Sequence, residues 1–371
     1  MKRARENVVA ELEAVQQQFR ADDPEAQSRL RSLVSTSHPL LQRWSHALLT
    51  AAEAMVPALI SLEQEHEEDQ QRETTGLFFP VARLVKGTLE QLSGLEGPKQ
   101  ALLESMVFPR LYPGCFRRGF TPFKRILLFG PPGTGKSSLV RAAVARAFQE
   151  DARARFAELS ASDVLSSLFG DSEQRVRAVF AEACVHGMQR GPVVIYLDEI
   201  DSLARTKHTG EDDTTRRIKN ELLRGLEALE EAPNVWCVAS TNTPWELDRA
   251  VVRRFERRLL VPLPGAAERA ALLAHALGEE AEPALSLAEA VRRSEGYSGA
   301  DLQTVCRFAS MVGVRELLRR APAMTHGERR TARPRPVVED DLLEALRTIN
   351  RSVDAATVTQ HDAWAASFGE A

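Results

Sequence analysis

The sequence predicts an α/β fold: a parallel sheet with flanking helices, a small helical unit after it and a helical region before it. Three observations predict this class. Apolar runs of strand length, Ile126–Phe129, Val193–Leu197 and Val235–Ala239, each end in glycine or polar residues. Such runs, bounded by turn signals, read as buried strands. Helix-forming segments lie between them, and beyond Pro264-Gly265 the composition turns helical and alanine-rich.

The 371 residues suffice for two or three domains, and a hydrophobic content of 43% permits a sizeable core. A net charge of −4 argues neither for nor against nucleic acid, and no specific nucleic-acid partner is expected. Cys115, Cys184, Cys237 and Cys306 are scattered and include no C-x-x-C pair. That suits free thiols in a reducing compartment and argues against a disulfide framework or a zinc site. Met1-Lys2-Arg3-Ala4-Arg5-Glu6 has no apolar core behind it, so no signal peptide is expected. No apolar run reaches membrane-spanning length. The expectation is a soluble cytoplasmic protein without an integral membrane segment.

Residues 1–73 read as helical. Val8, Leu12, Val15 and Phe19 recur at helical spacing, and Asp22-Asp23-Pro24 interrupts them, with Pro24 suited to open a second helix. A third segment runs through Leu41, Trp44, Leu48, Ala52, Met55 and Leu59, kinked at Pro57. A plain helical appendage and a small partner-binding domain both fit this pattern. Residues 74–91 read as a connector, 92–264 as the large α/β unit, 265–350 as the helical lid and 351–371 as a C-terminal helix.

In the large unit, the turn-rich Leu92–Gly97 precedes a helix from Pro98 to Met106, and prolines and glycines from Pro109 to Pro122 punctuate a loop. Phe156–Leu159 reads as a strand. Ser162 or Asp163 then caps a helix that ends at Leu168-Phe169-Gly170, and another helix runs from Glu173 to Val185. In the lid, Gly296–Asp301 is a turn and cap for a helix over Leu302–Leu318. The arginine-rich stretch Arg315–Arg335 contains Pro322, Gly327 and Pro334 and reads as a surface loop; contact with acidic tails or phosphates is its alternative reading. Two more helices, Glu339–Arg347 and Thr357–Phe368, follow.

Chemistry concentrates at Gly130–Ser137, GPPGTGKS, which meets every fixed position of G-x-x-x-x-G-K-[ST] between a strand and a helix. Glycines let backbone N–H groups approach phosphate oxygens, and the helix N-terminus favours anions. Lys136 would sit on the β- and γ-phosphates and Ser137 on Mg²⁺. The bland alternative, a glycine-rich turn with a chance lysine, does not account for the strand, the helix or the downstream residues. Asp198 and Glu199 end an apolar strand, where a parallel sheet presents ligands. Asp198 would hold Mg²⁺ through water, and Glu199 would deprotonate the attacking water. Asn242, after the third strand, is placed to bond the γ-phosphate or its water; a turn-forming asparagine before Pro244 is the alternative. Arg253 and Arg254 follow, where a subunit-bridging arginine finger would belong.

Taken together, these motifs resemble the AAA family of ATPases, specifically its meiotic clade of vacuolar-sorting, ESCRT-disassembling ATPases, katanin, spastin and fidgetin. The resemblance runs from about Leu92 onward. It rests on GPPGTGKS, VVIYLDEIDSL (Val193–Leu203), RRIKNELL (Arg216–Leu223), STNTPWELDRAVVRRFERRLLVPLP (Ser240–Pro264) and YSGADL (Tyr297–Leu302). TPFKRILLFGPPGTGKS and the phenylalanine of Arg253-Arg254-Phe255-Glu256 look nearest to the vacuolar-sorting branch, and HDAWAASFG (His361–Gly369) is similar to the clade's C-terminal helix. The resemblance implies ATP and Mg²⁺ as cofactors. It makes Gly130, Pro131, Pro132, Gly133, Thr134, Gly135, Lys136, Ser137 and Ser138 the Walker A site, and Asp198 and Glu199 the Walker B acids. Asn242 becomes sensor one, and Arg253 and Arg254 become trans-acting fingers of a homo-oligomer, an ATP-dependent hexamer. Gly299 and Ala300 would border the adenine, with Ser93 and Gly94 on its other side.

The first pore loop of the clade reads Lys, aromatic, any residue, Gly, whereas this chain has Ser167-Leu168-Phe169-Gly170. Leu168 and Phe169 are the residues expected to face the pore. The stretch Leu318–Pro336 is short for the extra β-domain of the vacuolar-sorting branch, and residues 1–73 lack a clear match to a microtubule-interacting-and-trafficking domain. The leading expectation is a ring ATPase that disassembles ESCRT-like polymers by threading them, recruited to endosomal membranes or the cytoskeleton. A second keeps the ring but severs microtubules. A third is an ATP-gated scaffold with weak threading.

Overall fold

The computed structural model describes residues 78–84, 89, 92–112, 114–115, 122–160, 164, 171–205, 213–321 and 332–370. The helices expected over residues 1–73, the capped helix ending at Leu168-Phe169-Gly170 and the core of the arginine-rich stretch lie outside them. The chain forms β1 (Phe78–Pro80), α1 (Glu96–Met106), α2 (Phe108–Leu111), β2 (Arg125–Phe129), α3 (Lys136–Phe148), β3 (Arg155–Ser160), α4 (Asp171–Gln189) and β4 (Val193–Asp198). It continues with α5 (Asp201–Ala204), α6 (Asp213–Ala228), β5 (Val235–Thr241), α7 (Arg249–Val252) and β6 (Arg257–Leu260). The lid helices are α8 (Ala266–Leu277), α9 (Ala288–Arg293), α10 (Gly299–Arg320) and α11 (Glu339–Thr348), followed by α12 (Ala355–Phe368).

The strands make one six-stranded sheet in the order β1-β3-β4-β5-β2-β6. β2 to β6 are parallel, while β1 is an antiparallel edge strand on β3. The sheet is therefore mixed rather than wholly parallel, and the expected connector contains a strand and a 3-10 turn over Val81–Leu84.

Burial on both faces explains the unbroken apolar strands. Leu127 and Phe129 of β2, Ile195 and Leu197 of β4 and Cys237 and Ala239 of β5 join the core beneath α4 and α6. Their neighbours Ile126, Leu128, Val194, Tyr196, Trp236 and Val238 point the other way, toward α1 and α3. The lid has its own core around Leu273, Leu302, Val305 and Leu342.

Several boundaries differ from expectation for local reasons. Pro109 sits in the first turn of α2, where its missing N–H costs nothing, so the stretch read as loop begins helical. Arg315–Arg320 continue α10 instead of opening a loop, and Arg315 packs over the Phe308 ring. β6 carries two arginines and has only one buried residue, which hid it in the sequence.

Gly225 of α6 faces α4, and a Cβ there would lie 2.4 Å from the Phe180 ring. Alanine is favoured over glycine in a helix by about 1 kcal/mol, but overpacking a core costs about 1–3 kcal/mol. Gly225→Ala is therefore expected to destabilise the protein in denaturant unfolding, whereas Gly97→Ala on α1, where the added Cβ meets open space, is expected to be neutral or stabilising. A Gly225→Ala variant more stable than the parent would mean that the two helices do not approach at that point.

Candidate active site

The tips of β2, β4 and β5 converge on a cavity of about 450 Å³, a size suited to a nucleotide. Pro132, Gly133, Thr134, Gly135, Lys136, Ser137 and Ser138 line it from the phosphate loop, together with Asp198, Glu199 and Asn242 from the strand tips. Gly299 and Ala300 from the lid and Ser93 from the segment before α1 complete the expected set. Gly130, Pro131 and Gly94 are not among its lining residues; a Cβ on Gly94 would overlap the Glu268 carboxylate. Leu168 and Phe169 lie outside the described residues.

The loop is braced from within. Thr134 Oγ1 donates to the Pro131 carbonyl at 3.0 Å, and Lys136 Nζ donates to the carbonyls of Gly130 and Pro131, each at 2.9 Å. Gly133 has a φ of +75°, which a residue with a side chain adopts at a cost. A Cβ there would also meet the Ser298 hydroxyl at 2.7 Å. The loop thus packs directly on the lid, where Ala300 N–H donates to the Gly133 carbonyl at 3.2 Å. Ser298 in turn caps α10 in a reciprocal box with Asp301.

Asp198 accepts from Ser137 Oγ at 3.0 Å and from the Glu199 N–H at 3.1 Å. Tyr196 Oη is 2.9 Å from the oxygen that takes the Glu199 N–H, and Ser240 Oγ also donates to that oxygen. Tyr196 and Asp198 are two apart on β4 and so share a face. Ser240 lies one step beyond the Leu197–Ala239 pair, opposite Asp198. Burial holds the Tyr196 phenol well above its usual range, so it remains a donor. Glu199 is exposed to the cavity and has a φ of +52°, rare for a non-glycine residue, which turns its carboxylate out of the strand line. Asp201 accepts from Thr241 Oγ1 at 2.7 Å and steadies the tip of β5 before Asn242.

These residues fit a magnesium-bound nucleoside triphosphate. A buried ammonium faces the cavity, and Ser137 and Asp198 offer hard oxygen ligands side by side. Among the described residues no group of three or more His, Cys, Asp or Glu could hold a metal alone. The Ser137 and Asp198 pair suits Mg²⁺, which takes one or two protein ligands beside phosphate and water.

Arg253 and Arg254 do not line this cavity. They precede β6, whose first residue pairs with Ile126, while the phosphate loop begins after Phe129 at the other end of β2. Arg253 is exposed, and Arg254 is paired with Glu227 of α6 in the same chain. The sequence reading also missed Glu268, Leu272 and Gln303 among the lining residues. Gln303 lies on the same helix as Ala300, three residues on, a helical spacing from which it was readable.

Burial pushes Lys136 down to about 8, against the opposing pull of Asp198, Asp201 and Glu199. Since its value in the fold lies below that of the unfolded chain, its contribution to stability rises as pH climbs above about 8. Its attraction for phosphate falls over the same range, as the ammonium is lost. Nucleotide affinity is expected to weaken by up to about tenfold between about pH 7 and about pH 9, as followed with a fluorescent nucleotide. A flat profile would mean that Lys136 is not the cation the phosphates meet.

Comparison with known proteins agrees with this geometry. Residues 126–263 match the ATPase family associated with various cellular activities (AAA), and residues 284–328 match an AAA+ lid domain. A model for a protein family of unknown function matches residues 64–176 and overlaps the first of these. Fidgetin-like protein 1 of Drosophila melanogaster is 35% identical over 320 residues, covering 84% of this chain and 57% of that protein. The A-like 1 form of katanin p60 from Rattus norvegicus is 35% identical over 292 residues, covering 76% of this chain and 58% of that protein. The chain thus spans little more than half the length of these curated relatives. They are of the fidgetin-like and katanin kinds, whereas the sequence reading set the chain nearest the vacuolar-sorting branch. A structure of the FIGL-1 AAA domain aligns with a TM-score of 0.66 at 32% identity, covering 79% of this chain and 93% of that one. A structure described as the basis for katanin self-assembly aligns with a TM-score of 0.64 at 28% identity, covering 80% of this chain and 95% of that one. With a braced phosphate loop, acids at the tip of β4 and a lid closing the same cavity, the chain belongs to the AAA family of ATPases.

Proposed function

We propose that this protein hydrolyses ATP as a ring and uses the cycle to take apart a protein polymer, with microtubules as the favoured polymer. Lys136 neutralises the phosphates, Ser137 and Asp198 hold Mg²⁺, Glu199 takes a proton from the attacking water and Asn242 orients that water. One observation carries the ring: Arg253 and Arg254 stand at the opposite end of the strands from their own phosphate loop. A finger so placed serves a neighbouring copy, where it is worth roughly 10³–10⁵ in rate. The katanin-like and fidgetin-like relatives favour microtubule severing over ESCRT disassembly. Leu168 and Phe169 belong to the proposal as the channel-facing pair.

Glu199→Gln is expected to bind ATP normally while turnover falls by roughly 10²–10⁴, the usual worth of a general base. Turnover near that of the parent would remove Glu199 from the role. Arg253→Ala and Lys136→Ala chains, each nearly inactive alone, are expected to regain part of the activity when mixed; a mixture no better than its parents would exclude a shared site. For the polymer, ATPase activity of the full chain is expected to rise with microtubules and much less with microtubules stripped of their acidic tails. Stimulation by ESCRT polymers alone would reverse the choice.

A further inference from the structure

We infer that His361 on α12 is a positioning residue for hydrolysis, holding Asn242 through its backbone. This rests on the hydrolytic reading of the cavity and extends it to the helix that follows the lid. His361 is 1% exposed, and its ring lies edge-on to Trp245, with centroids 4.9 Å apart. Nε2 is 3.0 Å from the Asn242 carbonyl oxygen, and Nδ1 is 2.8 Å from the Thr357 carbonyl one helical turn back. A carbonyl can only accept and a neutral imidazole carries a single N–H, so the ring donates to one of the two; in the proposed tautomer Nε2 carries the proton and donates to Asn242.

Asn242 lies one residue past the end of β5, where the sheet no longer supplies a ladder partner. A carbonyl turned into the protein must find a donor, and His361 provides it. On the preceding residue, Thr241 is tied to Asp201. The residue before Asn242 and the Asn242 carbonyl are thus anchored to different elements. Rotating that carbonyl would swing the side chain across the cavity.

The helix that carries His361 is itself fixed to neighbouring strands. Trp364 packs edge-on against Phe129, the residue before the phosphate loop, with centroids 4.5 Å apart. Arg258 Nη1 donates to the Phe368 carbonyl at 3.1 Å, and the Glu370 N–H donates to the Arg258 carbonyl at 2.9 Å. One helix therefore spans β2, β5 and β6, and His361 is its polar contact with the residue that faces the γ-phosphate.

The test separates a donor from a filler. His361→Phe keeps a ring against Trp245 and removes the donor, while His361→Gln keeps an N–H near the place of Nε2. For the phenylalanine variant, kcat is expected to fall about tenfold, as misplacing a reacting group does, with ATP affinity within about twofold. The glutamine variant is expected to recover at least about half of the parent kcat. A phenylalanine variant with parental kcat would overturn the inference, as would equal losses in both variants with ATP affinity weakened in step. If the phenylalanine variant fails to fold, His361→Asn, which reaches Thr357 but not Asn242, takes its place. Low kcat in the asparagine variant beside a near-parental glutamine variant supports the inference, and equal values overturn it. Failure of the hydrolytic reading looks different: the unsubstituted protein would turn over ATP no faster than Glu199→Gln.

Discussion

The carboxylate of Asp198 is the interaction on which the rest of the site depends. It draws together Ser137 at the start of α3, Tyr196 within β4 and Ser240 on β5. A partly buried charge without partners is costly, and pairing it with arginine or lysine would cancel the field a cation needs. Hydroxyls and one backbone N–H solve both difficulties, because they satisfy the oxygens while leaving the charge in place. That solution requires the tips of β2, β4 and β5 to stand level and adjacent, which the strand order provides.

What could be read from the sequence follows from how local each feature is. The phosphate loop was legible because its strand, glycines and helix are contiguous, and Asp198 and Glu199 because an apolar run ends on them. Tyr196 was visible only as one more apolar letter in that run, and Ser240 as part of a strand end. Their roles come from pairing between strands, which spacing within one segment does not encode. Gly225 belongs with them, since its reason is Phe180 on another helix. β1 escaped notice because three residues carry no periodicity, and its place is set by β3.

The lid is joined to the chemistry by short contacts rather than by a broad core. Ala300 and Ser298 touch the phosphate loop at Gly133, while the lid's hydrophobic cluster stays separate from the two that cover the sheet. A nucleotide between these parts would add contacts to both, and ligand-dependent closure of a lid needs such differential contact. Lys136 sits at the same seam. Its carboxylate neighbours favour the charged form, burial opposes it more strongly, and a phosphate would tip that balance toward the ammonium.

The two arginines stand in the wrong place for a single chain. From the Ile126–Arg257 pair to the Phe129–Leu260 pair the strands advance three residues, about 10 Å at the usual rise. Arg253 and Arg254 lie further back still. Neither arginine lines the cavity of its own phosphate loop. Arg254 meanwhile pairs with Glu227, and its Nε is buried without an acceptor. The Glu227 pair is made by the half-exposed end of the guanidinium, where a neighbour's phosphates would compete with the glutamate. Under the proposed reading such an exchange would bind hydrolysis to assembly, since Lys136 is the one Lys or Arg among the described residues that line the chain's own cavity.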